Sequence, residues 1–257
     1  MPHPPSHYPV GQPFIELQTV DSTNNYALGL IHDGLADPGT AVFAHEQTAG
    51  KGQRGRSWVS GRGENLAVSL LIRPGLPIRE QFRLSACIAA AAHQLIRQEA
   101  GTDTRIKWPN DLYWQDRKIG GILIENIVRS HPGEPTWSWA VAGIGINLNS
   151  LAFPDSLPNP VSLRQITGRE YDPKEMAVKL CTLAGQWYER LHYEGFGPIH
   201  AYYQQQLYKK GEAVRFRQGA RSFVATVSGV SETGRLQLEH GLPGEYDFGE
   251  LEWLING

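Results

Sequence analysis

Cysteine is scarce in this chain, long apolar runs are missing, and positive charge has no surplus; each absence removes a class of function. The 257 residues hold two cysteines, Cys87 and Cys181. They lie far apart, each inside an apolar helical pattern, which excludes a disulfide framework and predicts reduced core thiols in a cytoplasmic protein. No apolar stretch approaches the roughly 20 residues that cross a bilayer. The opening "MPHPPSHYPVGQP" lacks a cationic region followed by an apolar one, so neither a membrane partner nor a signal peptide is expected. Lys and Arg number 24 against 26 Asp and Glu, a net charge of −2. A general nucleic-acid binder would carry a basic excess, so DNA is not an expected partner. The nine histidines are scattered without an H-E-x-x-H or Cys/His pairing, and no metal-ligating residues are assigned.

What is present is ordinary globular chemistry, enough for one large core with a small satellite. "FIELQTV" alternates like a strand, and "DSTNNYALGLIHDG" starts a helix at Asp21 or Ser22 and stops it at Gly34. "GTAVFAHEQ" and "NLAVSLLIRP" read as strands on either side of a glycine-rich loop. Residues 79–100 form the clearest amphipathic helix. "TRIKWPNDLYW", "RKIGGILIENIV" and "WSWAVAGIGINLN" form a dense β region, with a tight turn at "QDR" and a polar loop at residues 131–135. "PDSLPNPVSL" is a Pro-broken loop, and helical pattern returns across 173–206. From about residue 209 short strands and close turns, "SETGR" among them, predict a small barrel that leans on the main domain. The expected division is a frayed tail at 1–11, a catalytic domain at 12–208 and a β domain at 209–257.

The loop "EQTAGKGQRGRSWVS" combines three glycines with three cations, and Gly50, Gly52 and Gly55 spell G-x-G-x-x-G. Glycine admits a close backbone approach and cations favour anions, so the loop suits phosphate. A dinucleotide fold would need a helix after the loop and an acid about 20 residues on; a strand follows, and "LLIRPG" supplies no acid. D-F-G occurs at residues 247–249, but no H-R-D precedes it, which excludes a kinase. "GRS" does not close a P-loop.

Two later stretches narrow the reading. "KWPNDLYWQDRKIGGILIE" places Pro-Asn-Asp between strands and returns with Arg-Lys and a Gly-Gly pair, while "VAGIGINLN" is an apolar strand broken by Gly143 and Gly145. Each alone reads as turn chemistry or close packing. The glycine loop and these two stretches together, in this order, resemble the biotin–protein ligases. The signatures of that family are an A-G-[RK]-G-x-x-[GS]-R-x-W type loop, K-W-P-N-D-[LI] followed by [RK]-K-[LI]-[AG]-G-I-L-[IV]-E, and a G-x-G-[IL]-N strand. "DSTNNYA", "NPVSL" and the β-rich end match as well, so the resemblance spans residues 12–257.

The resemblance implies an α+β fold, with a mixed, largely antiparallel sheet and flanking helices as in class II synthetases, plus an SH3-like C-terminal barrel. It implies ATP-dependent formation of biotinyl-5′-AMP, with Mg accompanying ATP, and transfer of biotin to a lysine of a biotin carboxyl carrier domain. By the same resemblance Ser22, Thr23, Asn24 and Gln47 bind the ureido ring of biotin, and Lys118 reaches its carboxylate and the α-phosphate. Lys51, Arg54 and Arg56 serve the phosphates, Gly50, Gly52 and Gly55 bring backbone N–H groups near, and Trp58 packs over the adenylate. Gly121, Gly143, Ile146 and Asn147 line the pocket, with Asn147 near adenine. Asn110 and Asp111 belong to the central turn, Asp111 as the group that accepts or steers the acceptor lysine's proton. Gln53 stands where many members carry Arg, so Arg54 or Arg56 is expected to supply that charge. Only about 11 residues precede the first strand, which predicts a monofunctional ligase without operator binding; a homodimer through a sheet edge is common in the family. The rivals are a lipoate or octanoate ligase, whose Arg-rich triple-glycine signature is missing, and a non-catalytic biotin sensor, which retention of Lys118 and Asp111 disfavours.

Overall fold

The computed structural model describes residues 8–58, 61–129, 136–240 and 242–254. Its centre is a seven-stranded sheet of β1 (Phe14–Leu17), β2 (Ala41–Ala44), β3 (Asn65–Ile72), β4 (Thr104–Lys107), β5 (Asp111–Trp114), β6 (Arg117–Arg129) and β7 (Thr136–Asn147). The order is β1-β2-β3-β7-β6-β5-β4. β1 runs parallel to β2, and every other neighbouring pair is antiparallel. The mixed, largely antiparallel sheet is therefore as expected. "TRIKWPNDLYW" forms two strands, with Trp108, Pro109 and Asn110 turning the chain between them. The loop expected at 131–135 lies outside the described residues.

The two faces of the sheet differ in cover. Leu66, Val68, Leu70 and Ile72 of β3, with Ala140, Ala142, Ile144 and Ile146 of β7, join the main core beneath α2 (Gln81–Ala100) and α4 (Pro173–Tyr193). A run of four alanines, residues 89–92, lets α2 lie close to its neighbours, and all four are buried. The opposite face has a small core of Ala27, Ile31, Val42, Leu71, Trp139 and Val141 under α1 (Thr23–His32). Helix α1 covers one end of this face and leaves the rest to loops.

Local signals explain the helix ends. Asp172 accepts from the N–H groups of Lys174 and Glu175 ahead of α4, with Pro173 at its first position. The helical pattern over 173–206 is divided at Gly195, φ 78°, into α4 and α5 (Gly197–Gln205). The short α3 (Leu163–Thr167) lies just past the Pro-broken loop and was not expected; Ser162 and Gln165 close a capping box around its start.

The C-terminal strands β8 (Ala213–Gln218), β9 (Arg221–Val230), β10 (Leu236–His240), β11 (Leu242–Tyr246) and β12 (Glu252–Trp253) form one antiparallel sheet, ordered β11-β10-β9-β8-β12. The "SETGR" hairpin is present, closed by Ser231 N–H donating to the Arg235 carbonyl at 2.8 Å. Phe216, Val227, Leu236 and Leu238 of this sheet belong to the same buried cluster as α2 and β3, so the apolar core runs through both sheets. At the other end of the chain, the expected frayed tail is pinned over its described part. Gly11 N–H donates to the Gly39 carbonyl at 2.7 Å, and Tyr8 bonds both Arg73 and Tyr188.

Candidate active site

Strand register assembles the site. Lys107 pairs with Asp111, Asp111 with Gly121, Gly121 with Gly145, and Gly145 with Ala67. Directly opposed residues share a face, so these five form a row across β4, β5, β6, β7 and β3. Charge stands at one end and bare backbone in the middle. Strict alternation would send Lys118 to the other side from Gly121. A bulge intervenes: Leu112 pairs with Gly120 and Tyr113 with Lys118, leaving Ile119 extra. Lys118 is thereby turned onto the same face, where its Nζ lies 2.6 Å from Asp111 Oδ1. The "NPVSL" segment braces it, since Lys118 N–H donates to the Asn159 carbonyl and Val161 N–H to the Lys118 carbonyl.

Lys107 completes this cationic end. Burial lowers its pKa to about 8, against the pull of Asp111 and with the repulsion of Lys118 and Arg56. Its ammonium lies 4.9 Å from the Tyr113 ring centre and 5.6 Å from that of Trp253, the latter from the C-terminal sheet. Several cations converging on one carboxylate leave net positive charge facing the row, which suits an anionic ligand.

The opposite end is polar and uncharged at its centre. Ser69 is fully buried; its hydroxyl donates to Asn24 Oδ1 at 2.6 Å and lies 2.7 Å from the Thr23 hydroxyl. Gln47 Oε1 accepts from Thr23 N–H at 2.8 Å and from its hydroxyl at 3.1 Å. Asn24 Nδ2 donates to Glu125 Oε2 at 2.7 Å, and the other oxygen of Glu125 lies 3.7 Å from Lys51 Nζ. Ser22 occupies the N-cap position of α1 and is buried; its carbonyl accepts from Tyr26 N–H, but its side chain makes no capping hydrogen bond. Gly143 makes room for this group, because a Cβ would come within 2.3 Å of Asn24 Oδ1 and displace it.

The glycine loop roofs this face. Gly50, Lys51, Gly52, Gly55, Arg56 and Ser57 line an open cavity of about 380 Å³ together with Ala49, Leu123 and Glu125. Trp58 lays its indole where a side chain at Gly145 would stand, 2.6 Å from an ideal Cβ. Its Nε1 is buried without a hydrogen-bond partner. Lys118 and Asp111 lie farther along the same face, beyond Gly121.

Other expected residues are placed elsewhere or already engaged. Arg54 turns away from the cavity toward Phe248. Gln53 opens a single turn, Gln53–Gly55, and does not line the cavity. Asn110 is occupied with Ile122, to which its amide donates and from which its carbonyl accepts. Asn147 is buried and donates to the Val161 carbonyl at 3.0 Å. The Ile146 side chain sits in the main core on the other side of the sheet, so its backbone alone faces the site. Ser69, Glu125 and Lys107 were not singled out by the sequence reading. A lone Ser within the otherwise apolar "LAVSLLI" was the one available signal for Ser69. Among the described residues no group of three or more His, Cys, Asp or Glu is placed to hold a metal ion, and no helix is long and apolar enough to cross a membrane.

Comparison with known proteins gives a consistent result. The pattern of the Biotin/lipoate A/B protein ligase family matches residues 16–134. The biotin–[acetyl-CoA-carboxylase] ligase of Paracoccus denitrificans is 35% identical over 229 residues, covering 86% of this chain and 92% of that protein. The bifunctional ligase/repressor BirA of Bacillus subtilis (strain 168) is 32% identical over 233 residues, 90% of this chain and 70% of that protein. Among solved structures, the biotin protein ligase from Aquifex aeolicus in complex with biotin and ATP superposes with a TM-score of 0.78 at 25% identity, covering 95% of this chain and 100% of that one.

Proposed function

The chain belongs to the biotin–protein ligases, and on that footing we propose that it converts biotin and ATP to biotinyl-5′-AMP and passes the acyl group to a lysine of a biotin carboxyl carrier domain. It is a ligase that forms a C–N bond. In the first step a biotin carboxylate oxygen attacks the α-phosphorus, the bond to the β-phosphate bridging oxygen breaks, and pyrophosphate leaves. In the second the lysine amine attacks the acyl carbon, AMP leaves, and the amine loses a proton.

One observation carries this reading: a strip of sheet with no side chain of its own at Gly121, Gly143 and Gly145, the last two covered by Asn24 and Trp58, with Lys118 and Asp111 at one side and the Thr23, Asn24 and Gln47 group at the other. A flat, uncharged ureido ring needs donors and acceptors, which the second group offers. The carboxylate and α-phosphate are both anionic. Two unit charges about 4 Å apart repel by roughly 4 kcal/mol at an effective dielectric near 20, about three decades in rate. Lys118 supplies the compensating charge from the sheet, Lys51 and Arg56 from the loop. Gly50, Gly52 and Gly55 let the loop backbone approach, and Trp58 keeps water from the mixed anhydride. Asn147 is assigned to the adenine side. Magnesium enters with the nucleotide: Asp111 is paired with Lys118, and Glu125 with Asn24 and Lys51, so these residues do not build a cage for the ion and no step is assigned to one.

The reading extends to a division at residues 208/209 and to a homodimer, for which β1 offers an edge paired on one side only. The two free, buried thiols suit a reducing, cytoplasmic setting. Pyrophosphate exchange into ATP with Mg²⁺ tests the core claim. Exchange is expected with biotin and absent with lipoate, octanoate or no acid. Exchange driven by lipoate would overturn the ring-pocket assignment, and silence with all acids despite biotin binding would favour a sensor.

A further inference from the structure

Arg54 is held in an unusual way. Its backbone has φ 57° and ψ 40°, the left-handed region that non-glycine residues avoid. Strain of that kind persists when surrounding contacts fix it. Here the contact comes from the C-terminal sheet, at the D-F-G triplet that has no kinase context. The Arg54 guanidinium lies 4.6 Å from the Phe248 ring centre, and its Nη2 donates to the Phe248 carbonyl at 3.4 Å. It also fills the space above Gly249, where an ideal Cβ would fall 1.3 Å from Nη2. Gly249 itself has φ 93°. A side chain there would be strained and would evict the guanidinium, so this glycine makes the seat.

The seat is tied to the catalytic turn. The Phe248 ring meets Trp108 edge-on at 6.1 Å, and buried Trp108 donates its Nε1–H to the Gly234 carbonyl at 2.8 Å. Trp108 begins the turn that carries Asn110 and leads to Asp111. The other end of the loop is fixed separately, by Trp58 over Gly145 and by Trp58 N–H donating to the Gly50 carbonyl at 2.8 Å. Between these two anchors lie Lys51, Gly52, Gly55 and Arg56, the cavity wall.

We propose that Phe248 and Gly249 are positioning residues that strap the glycine loop over the cavity by seating Arg54. Its kinetic consequence rests on the ligase reading; the strap itself does not. The seat is partly exposed, Phe248 at 47%, so the contact is weak enough to open for substrate entry and for the acceptor lysine. With the strap loosened, the adenylate loses its outer wall and escapes.

Two measurements on the full chain test this, with Phe248→Ala, Phe248→Leu, which keeps apolar cover on Trp108, and Phe248→Tyr, which keeps the ring. In the first, amide hydrogen exchange of residues 51–58 in the ligand-free protein is expected to quicken in the Ala and Leu variants and to return to normal in Tyr. Unchanged exchange in both Ala and Leu would overturn the strap. In the second, enzyme loaded with biotin and ATP is freed of excess substrate, and loss of adenylate is followed without acceptor. Loss about fivefold faster is expected, the scale of one exposed cation–π contact. Adding Arg54→Ala to Phe248→Ala should bring little further increase, because the ring contact is already gone and only the long bond to the Phe248 backbone carbonyl is left to lose. Unchanged or slower loss would overturn the proposal, as when Arg54 leaves its seat to grip the phosphate. Failure of the wild type to form any adenylate would overturn the ligase reading instead, and hydrogen exchange would still decide the strap.

Discussion

Asp111 shows how one contact changes a residue's expected role. Read from sequence, it is the group that accepts or steers the acceptor lysine's proton, so its loss should hurt transfer more than adenylation. The 2.6 Å pair with Lys118 suits it to an earlier duty, holding the ammonium that we propose for the carboxylate and α-phosphate. Asp111→Asn keeps the shape and removes that hold. Both half-reactions are expected to fall, each by up to about fivefold for a partly exposed pair. Pyrophosphate exchange reports the first, and single-turnover transfer from preformed adenylate the second. A loss confined to transfer would return Asp111 to the acceptor amine. Lys118 and Asp111 were legible because both lie within one contiguous motif. Glu125 was not: its partners Asn24 and Lys51 come from α1 and the loop, and only the packing of those segments on the sheet brings them to it.

Elements, more than motifs, decide what reaches the site. The principal strands and α1, α2 and α4 follow apolar periodicity and were readable from it. The bulge at Ile119 was not, although it decides which face receives Lys118. Bulges depend on pairing with a partner strand, and periodicity within one strand does not record it. The seat for Arg54 escaped for the same reason, since 194 residues separate it from Phe248. Strand β7 offers a direct test of element-level design. Gly143→Ala puts a methyl against Asn24 Oδ1, displacing Asn24 from Ser69 and Glu125. Biotin affinity is expected to fall at least about tenfold, with stability lowered by about 1–3 kcal/mol and the far-ultraviolet spectrum intact. Calorimetric titration measures it, and wild-type affinity would remove Asn24 from the ring pocket.

Over the whole molecule, one buried cluster links both sheets and the main helices, so local titrations report on global stability. His93 sits at the junction of α2, α5 and β4. Its Nε2–H donates to the Thr104 carbonyl, so Nδ1 accepts from the Tyr202 hydroxyl, and the ring is neutral. Burial holds its pKa at about 4, and the nearby Arg97 and Arg105 reinforce this. Once unfolded, the ring titrates near its ordinary 6.5. Between those values the unfolded chain takes up a proton that the folded protein refuses. Its contribution is therefore complete above about pH 6.5 and declines toward pH 4, by at most about 1.4 kcal/mol per pH unit. Urea unfolding across that range should show the decline, with a shallower slope in His93→Gln. An unchanged slope would mean that other groups govern the acid limb.

At Gly143 and Gly145 the sheet supplies vacancy, and Asn24 and Trp58 fill it from α1 and the loop. On the proposed ligase reading, part of the ring pocket thus sits on segments that do not set strand register. Substitutions in α1 or the loop are then expected to retune which acid is accepted while the scaffold folds as before, whereas a side chain at either glycine of the strand beneath them must displace Asn24 or Trp58.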